Sequence, residues 1–247
     1  MPVVTNLYVT QGRIFAPDIV PYRLVITPLG TSLINQAFGF RDANWSQENL
    51  DYVFQDGTFE YQGGNLPITW LGFNDRRIVI QVLGDSDAAH AVYSFLCEAL
   101  TQLTPGFQEA RPLLLNEETS CTVRLSFDWR ALLNPALVDL VSDKVKEFTT
   151  EEARRFIKGL SIRFTIGAVT ADERLRDYGV SLFDQTIAVE PKANVPLSER
   201  IYFTYSPFDS DTHLKLISDL ETNLSRKGAS GRRGQAPLRS RQRPRSA

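Results

Sequence analysis

The chain of 247 residues is 43% hydrophobic and 23% charged, which is ordinary for a globular protein and excludes collagen-like, coiled-coil and wholly disordered chains. Its length allows one large domain or two modest ones with a substantial core. The net charge of -2 hides an uneven distribution, because the last acidic residue is Glu221. Of the 27 Lys and Arg residues, eight come after it, which leaves 19 in residues 1–224 against 29 carboxylates. An acidic body therefore carries a basic tail.

The sequence gives no indication of a membrane protein or a secreted one. No apolar run approaches the roughly 18 to 20 residues that span a bilayer, and the beginning of the chain lacks the basic and apolar regions of a signal peptide. Cys97 and Cys121 have apolar neighbours, so we expect reduced, buried, structural thiols. Together these features predict a cytoplasmic protein that does not enter a membrane.

Strand and helix patterns follow one another in the first half of the chain. Strand-like alternation or β-rich composition occurs at residues 20–27, 58–61, 67–73 and 77–83. The pair Gly63-Gly64 between two of these stretches is typical of a turn. Apolar residues then recur at spacings of three and four over residues 92–103, which predicts a helix that Asp85 or Ser86 caps.

The second half repeats this order. We predict a strand at residues 121–128, helices over about 134–148 and 149–159, strands at 160–168, 179–190 and 200–206, and a closing helix over 209–224. Beyond residue 224, a stretch rich in Gly, Ser and Arg cannot bury enough apolar surface to fold.

Similarities between the halves suggest an internal duplication. The sequence Asp-Ser-Asp begins both closing helices, at residues 85–87 and 209–211, and residues 22–26 resemble residues 123–127. We therefore predict an α+β protein that is a tandem duplication of a mostly antiparallel sheet unit with a closing helix. The predicted divisions are two units and a disordered Arg-rich tail, over residues 1–110, 111–224 and 225–247. The alternative is convergence, because junctions between strands and helices commonly contain Asp and Ser.

The repeated junctions also contain the candidate catalytic residues. Carboxylates beside imidazoles can bind a metal or perform acid–base chemistry, and the candidates are Asp85, Asp87, His90, Asp209, Asp211 and His213. Helix capping is the preferred interpretation, because Asp and Ser satisfy free N–H groups at a helix start and the helix dipole favours acidic side chains there. The histidines also differ in register, since aligning the two triplets places His213 opposite Ala89.

Other motifs of enzymes and cofactor-binding proteins are missing from the sequence. Two histidines and the lack of a Cys-x-x-Cys pair argue against a metal site, and neither a glycine-rich nucleotide loop nor a Gly-x-Ser-x-Gly elbow occurs. We expect no cofactor and consider an enzyme the less favoured class. Phe203 and Tyr205 share one face of a strand and could stack on nucleobases, but no basic residues interleave with them, so core packing is preferred.

The tail offers the remaining functional prediction. Guanidinium groups bind phosphates bidentately, and a flexible basic segment gains affinity by releasing counterions. Binding to nucleic acid or an acidic partner is assigned to Arg226, Lys227, Arg232, Arg233, Arg239, Arg241, Arg243 and Arg245. The alternatives are an autoinhibitory or solubilising arm and a tail that reflects coding composition, because Arg outnumbers Lys by 21 to 6 in the whole chain.

These observations favour a non-catalytic, cytosolic binding or assembly protein whose Arg-rich C-terminal arm contacts nucleic acid or an acidic partner. One alternative is a metal-assisted hydrolase that uses the Asp-Ser-Asp and His residues at the helix starts. The other is a structural subunit of a larger protein complex.

Overall fold

The computed structural model describes residues 2–46, 51–127, 140, 143–144, 161–167, 173–180 and 184–231. The strands within these ranges are β1 (Val3–Ile14), β2 (Asp42–Ser46), β3 (Asp51–Tyr61), β4 (Gly64–Phe73), β5 (Arg77–Val82), β6 (Leu114–Arg124), β7 (Ile162–Ile166), β8 (Gln185–Pro191) and β9 (Ile201–Ser206). The helices are α1 (Tyr22–Val25), α2 (Pro28–Phe38), α3 (Ser86–Thr101), α4 (Glu173–Asp177) and α5 (Ser210–Gly231). The strands form one antiparallel sheet, in the order β2-β3-β4-β5-β1-β6-β9-β8-β7. The predicted α+β class with a large antiparallel sheet is confirmed.

The centre of the sheet is the pairing of β1 with β6. These strands share eleven residue pairs, ending at Ile14 opposite Leu114, and a bulge at Asn6 interrupts the register. The outer neighbour of β1 is β5, and the outer neighbour of β6 is β9, so each half extends outward from its own first strand. Both predicted units thus contribute to one sheet, and their division near residue 110 stays a prediction.

Alternation along the strands divides the sheet into two faces. Val9 lies opposite Val82 of β5 and Thr119 of β6 on the face against which α2, α3 and α5 pack, called here the helix-covered face. Thr10, the next residue of β1, lies opposite Glu118 of β6 on the other face. None of these three helices lies on that second face, which is called here the open face.

The core of the first half fixes α3 against the sheet. Val92, Leu96 and Leu100 of the predicted apolar stripe are fully buried. Phe38 of α2 contacts Phe95 of α3 edge to face, with the ring centroids 5.5 Å apart. Burying each large apolar side chain contributes about 1.5 to 3 kcal/mol. This packing sets the position of the start of α3 above the centre of the sheet.

The strand predicted over residues 20–27 is wrong. Residues of this segment form α1, and Thr27 then caps α2 by accepting a hydrogen bond from the Gly30 N–H at 3.2 Å. Pro28 occupies the first turn of α2, where its missing N–H costs nothing. The β-branched composition of the segment was misleading because Thr-Pro is a helix-start signal. The proposed likeness between residues 22–26 and 123–127 is therefore not a likeness between strands.

The core of the second half fixes α5 on the same face. Ile217 packs with Cys121, Val123 and Tyr202, all of them buried. Glu221, further along the helix, accepts a hydrogen bond from the Ser126 N–H at 2.7 Å. The helix continues to Gly231, beyond the predicted end at residue 224. Residues 232–247 lie outside the described residues.

The remaining expectations are met unevenly. The strands predicted at residues 58–61, 67–73 and 77–83 coincide with parts of β3, β4 and β5, and the closing helix of the first half is confirmed as α3. The structure adds β1, α2 and β2, and it begins β6 seven residues before the predicted strand start at Cys121. The helices predicted over 134–159 lie outside the described residues except for residues 140, 143 and 144. Both cysteines are free and buried, and burial raises the pKa of each thiol.

Candidate functional site

The first residue of each Asp-Ser-Asp triplet caps its helix. Asp85 Oδ1 accepts a hydrogen bond from the Ala88 N–H at 2.8 Å. Asp209 Oδ1 accepts one from the Thr212 N–H at 2.9 Å, and its Oδ2 accepts one from the Thr212 hydroxyl at 2.7 Å. The bonds from Thr212 lower the pKa of the Asp209 carboxyl. The capping interpretation is confirmed for both residues.

The serines of the two triplets join the halves of the molecule. The Ser210 N–H donates to Ser86 Oγ at 2.8 Å, and the Ser86 N–H donates to Ser210 Oγ at 3.1 Å. This reciprocal pair places the N-termini of α3 and α5 in direct contact. The serines therefore satisfy free N–H groups of each other's helices across 124 residues of sequence.

A carboxylate from the central strand pair completes this junction. Glu117 of β6 accepts hydrogen bonds from the Ser86 hydroxyl and, at 2.9 Å, from Nε2 of the fully buried Gln11. Negative charge is stabilised where two helices begin. Sequence reasoning missed Glu117 because residues 114–120 were not recognised as a strand. The available signal was the acidic pair Glu117-Glu118 in a stretch whose alternate residues face the helix starts.

Five of the six candidate catalytic residues meet at this junction. A cavity of about 250 Å³ is lined by Asp85, Ser86, Asp87, His90, Glu117, Asp209, Ser210 and Asp211. His90 lies beside a cation, because Arg13 donates to its Nδ1 at 3.1 Å. The same guanidinium stacks on the Tyr93 ring, 3.5 Å from the ring centroid. Since guanidinium groups only donate, Nδ1 of His90 is the acceptor in this contact.

His213 is separated from that cavity and lies in the core of the second half. Its Nδ1 is 2.7 Å from Ser206 Oγ, and its Nε2 is 3.0 Å from Thr204 Oγ1 and 3.5 Å from Cys121 Sγ. Burial lowers the pKa of His213 to about 4, so the imidazole is neutral at neutral pH. Only 1% of its surface is exposed, so solvent and substrate do not reach it in this conformation.

The arrangement of these side chains gives a metal-dependent reaction no support. Among the described residues, no group of three or more His, Cys, Asp and Glu side chains could hold a metal ion. The carboxylates that have hydrogen bonds at the junction are engaged with helix N–H groups, Ser86 and Gln11. At the junction, Asp85, Asp209 and Glu117 therefore have structural partners.

A second feature lies where β9 ends. Ser206, the last residue of β9, is opposite Thr119 of β6, and Tyr205 is opposite Ala188 of β8. Both neighbouring strands extend beyond this point, through residues 114–118 of β6 and 185–186 of β8. Among the described strands, none lies between β6 and β8 beyond Ser206, and we call this space the strand gap. A cavity beside this gap, of about 720 Å³, is lined by Thr10, Gly12, Ile14, Arg77, Val79, Leu114, Leu115, Asn116, Glu117, Glu118, Asp184, Gln185, Thr186, Tyr205 and Pro207. It therefore extends across β6 over β1 and β5.

The lining of this cavity is acidic and partly apolar. Glu118 reaches solvent within the gap, but the protein packed around it raises the pKa of its carboxyl through desolvation. The lining cation Arg77 forms an ion pair with the buried Asp51 at 2.6 Å. Leu115 is 46% exposed, which is high for a leucine.

The aromatic residues of β9 divide between the two faces. Tyr202 is buried in the second core, whereas Phe203 and Tyr205 lie on the open face with their ring centroids 6.1 Å apart. Phe203 is 37% exposed, so the predicted core packing is wrong for this residue. The alternation of β9 places it opposite the core that Tyr202 enters.

The predicted binding residues of the tail are only partly within the described chain. Arg226 and Lys227 belong to α5, and their side chains are not described. The six arginines from Arg232 onward lie outside the described residues, so their role stays a prediction. In the part of the chain that the structure describes, no helix has both the length and the apolar composition needed to cross a membrane. Neither a protein-family model nor a curated protein matches this chain.

Proposed function

We propose that this chain is a non-catalytic binding or assembly protein whose Arg-rich C-terminal arm contacts nucleic acid or an acidic partner. The observation that carries the proposal is the separation of charge, with all 29 carboxylates in the body and eight of the 27 cations in the last 23 residues. A strongly basic segment is drawn to phosphates or carboxylates, and the release of counterions adds to its affinity for a polyanion.

The geometry of the helix starts supports the non-catalytic part. Among the candidate catalytic residues Asp85 and Asp209 cap two helices, the neighbouring Ser86 and Ser210 join the two halves, and His213 is buried away from them. We place the protein in the cytoplasm, where thiols such as the two buried, free cysteines remain reduced.

We also propose that the two halves are a tandem duplication. In each half the first strand lies at the centre of the sheet, the last strand lies beside it, and a closing helix follows that last strand. The reciprocal contact of Ser86 and Ser210 and the pairing of Val9 with Thr119 have the relation expected of equivalent residues about a two-fold axis.

The first experiment compares the full chain with a variant that ends at Gly231, because α5 extends that far. We expect the full chain, purified at low salt, to show a high ratio of absorbance at 260 nm to that at 280 nm, and the variant to lose it. Binding of a labelled single-stranded DNA measures the same property. Removal of six arginines reduces the slope of log affinity against log salt by up to about 4.

A matched control replaces those six arginines by lysine, which retains the charge and the salt slope. Replacement by glutamine should reduce the slope as much as deletion does. If all four proteins show the same protein-like absorbance ratio and the same DNA affinity, a nucleic-acid role of the arm is excluded. Binding of a polyglutamate peptide then tests the acidic partner.

The hydrolase remains the second candidate, because Asp87, Asp211 and His90 line one cavity. Asp87→Asn and Asp211→Asn would abolish hydrolysis while leaving the free energy of unfolding nearly unchanged if that candidate is correct. Titration with Mg²⁺, Mn²⁺ and Zn²⁺ would then show a site that the double variant lacks. For the third candidate, a complex subunit, size-exclusion chromatography at several concentrations would show self-association.

A further inference from the structure

We propose that the arm of one copy of this chain binds the open face of a second copy, in the cavity of about 720 Å³ that extends over β1, β5 and β6. This cavity is called here the open-face groove, and the part of the arm concerned is residues 232–247. The inference rests on the proposed function, because it names a second copy as the acidic partner of the arm. It does not require the arm to bind nucleic acid.

The floor of the groove is a row of residues on three neighbouring strands. Gly12 of β1 lies opposite Val79 of β5 and Asn116 of β6, and all three face the open side of the sheet. Because Gly12 has no side chain, the groove is deepest at the centre of the sheet. A Cβ added at Gly12 would lie 3.9 Å from Val79 Cγ2 and 4.0 Å from Asn116 Cβ, which are ordinary contacts. A larger residue could therefore fill this floor without disturbing the strands.

The groove presents negative charge that the protein does not balance. Among the described residues, its exposed carboxylates Glu118 and Asp184 form neither a hydrogen bond nor an ion pair. Desolvation raises the pKa of the Glu118 carboxyl, and a cation beside it would favour the charged form. The lining cation Arg77 is paired with Asp51 at 2.6 Å. The groove is therefore complementary to a basic ligand.

The arm supplies cations in a pattern that suits an open surface. Its 16 residues contain six arginines and no acidic side chain. Four arginines occupy alternate positions, namely Arg239, Arg241, Arg243 and Arg245. In an extended chain alternate side chains project to the same side, about 6.6 Å apart, so one side of the bound arm would carry all four guanidinium groups. Tyr205 at the border of the groove offers a ring for stacking, as Tyr93 does for Arg13.

The length of the arm favours the groove of another copy over its own. α5 runs from the junction along the helix-covered face, and Glu221 reaches Ser126 beyond the end of β6. From Gly231 the arm would have to return about 15 Å along the helix, cross about 10 Å to the open face and follow about 26 Å of strand to Glu118. Sixteen residues span at most about 53 to 58 Å when fully extended, and a flexible chain of that length spans about 20 to 24 Å on average. The arm's own groove is therefore at the limit of its reach, whereas the groove of a neighbouring copy is not restricted in this way.

This contact would join copies head to tail, because each copy contributes one arm and one groove. A contact of this kind continues until a ring closes or a chain of copies forms, unlike the contact of a two-fold dimer. Since the arm and the groove attract each other through exposed charges, the assembly should weaken as the salt concentration rises.

The first test measures assembly with protein that has been freed of nucleic acid at high salt and returned to low salt. We expect the mass of the full chain, measured by sedimentation velocity, to rise with concentration. Two variants should remain monomeric when each is alone. One ends at Gly231 and lacks the arm, and the other carries Glu118→Lys and Asp184→Lys in the groove. An equal mixture of the two should form a dimer and nothing larger, because one supplies only a groove and the other only an arm.

The second test measures the contact directly with a labelled peptide of residues 236–247. Fluorescence anisotropy should show saturable binding to the variant that ends at Gly231. Adding Glu118→Lys and Asp184→Lys to that variant should weaken binding by at least about ten-fold. Gly12→Leu fills the floor without changing charge and should also weaken binding, whereas Gly12→Ala should change it little.

The matched control reverses the same amount of charge elsewhere. Glu60→Lys with Glu98→Lys changes two exposed carboxylates outside the groove and should leave at least half of the peptide affinity. A loss equal to that of the groove variant would mean that the arm is attracted to the acidic body as a whole and would overturn the proposal. A peptide with glutamine at its four arginine positions should not bind.

Other results would also overturn the proposal. The mixture of the two variants could remain monomeric, or each variant could still assemble by itself. If the full chain stays monomeric and binds the peptide at least about ten-fold more weakly than the variant that ends at Gly231, the arm occupies its own groove. None of these measurements contains nucleic acid, so failure of the DNA-binding experiment leaves them unchanged, and the two proposals fail separately.

Discussion

The two halves of the molecule use the same helix start over different interiors. Val82 at the end of β5 lies opposite Val9, and Ser206 at the end of β9 lies opposite Thr119. When the two helices are aligned on their caps, Asp85 and Asp209, Ala89 of α3 corresponds to His213 of α5. In the first half, Ala89 packs in an apolar core with Ile80 and Val82.

In the second half, the corresponding positions are polar. His213 lies above Thr204 and Ser206, and its two ring nitrogens contact their hydroxyls. The same backbone arrangement thus accommodates an apolar triad or a hydrogen-bonded one. The comparison teaches that the same caps and the same serine contact can be built above an apolar set of residues or above a hydrogen-bonded one.

The largest effect should come from moving one polar residue into the apolar half. Ile80→Thr places a hydroxyl in a fully buried position without an imidazole above it. Lost packing and an unpaired hydroxyl together should lower the free energy of unfolding by about 3 kcal/mol, as measured by urea denaturation. Ile80→Val is the control and should cost about 1 kcal/mol. Equal costs for the two variants would show that polarity is not what separates the halves.

The reverse change tests whether the polar triad acts as a set. His213→Ala leaves the hydroxyls of Thr204 and Ser206 without their partner and should lower the free energy of unfolding by about 2 kcal/mol. The triple variant His213→Ala, Thr204→Ile and Ser206→Val copies the first half and should recover most of this loss, because apolar groups then replace both members of each hydrogen bond. A triple variant less stable than His213→Ala would contradict the equivalence of the positions beneath α3 and those beneath α5.

Acid should distinguish the halves as well. The pKa of His213 is lowered to about 4 in the folded protein, whereas an unfolded histidine has a pKa near 6.5. Between these values the unfolded chain binds a proton that the folded chain does not, so stability falls as pH is lowered from 6.5 toward 4. The slope from this residue is at most about 1.4 kcal/mol per pH unit. The urea midpoints of the wild type and of His213→Ala should be measured across this pH range, and the difference between them should change with pH. A difference that is independent of pH would exclude this contribution of His213.

The caps should behave alike in both halves. Asp85→Ala and Asp209→Ala each remove an acceptor of a helix N–H and should cost about 1 kcal/mol. Asp87→Asn and Asp211→Asn remove only charge from the first turn and should have the smallest effect, about 0.5 kcal/mol. Thermal unfolding of the four variants measures the order. A marked difference between Asp85→Ala and Asp209→Ala would mean that only one junction depends on its cap.

Sequence reasoning succeeded where the signal is local. The apolar spacing of α3 and the capping role of Asp85 were predicted correctly, because a helix period and a cap involve residues within a few positions. The segment at residues 20–27 was misassigned because its β-branched composition outweighed the Thr27-Pro28 helix start. Local composition decides poorly between a short helix and a strand when tertiary contacts determine the outcome.

The site depended on contacts that no local pattern contains. Asp85 and Asp209 could be paired by their repeated motif, but the motif does not show that Ser86 and Ser210 bond to each other across 124 residues. The contact of Gln11 with Glu117 likewise depends on the pairing of β1 with β6. The strand gap exists because β9 is shorter than its neighbours, and strand length is the property least well defined by composition.

The central pairing of β1 and β6 has a consequence for how the chain is made. Ile14 and Leu114 are neighbours in the sheet but are 100 residues apart in sequence. During synthesis β1 is complete long before β6 leaves the ribosome, and domains fold as their residues emerge. Because β5 is synthesised before β6, it can pair with one edge of β1 while the other edge is still unpaired and accessible to other extended chains. In the nascent chain, the edge of β1 that later pairs with β6 is therefore exposed for a time. The rate at which residues 83–124 emerge determines how long this edge stays unpaired.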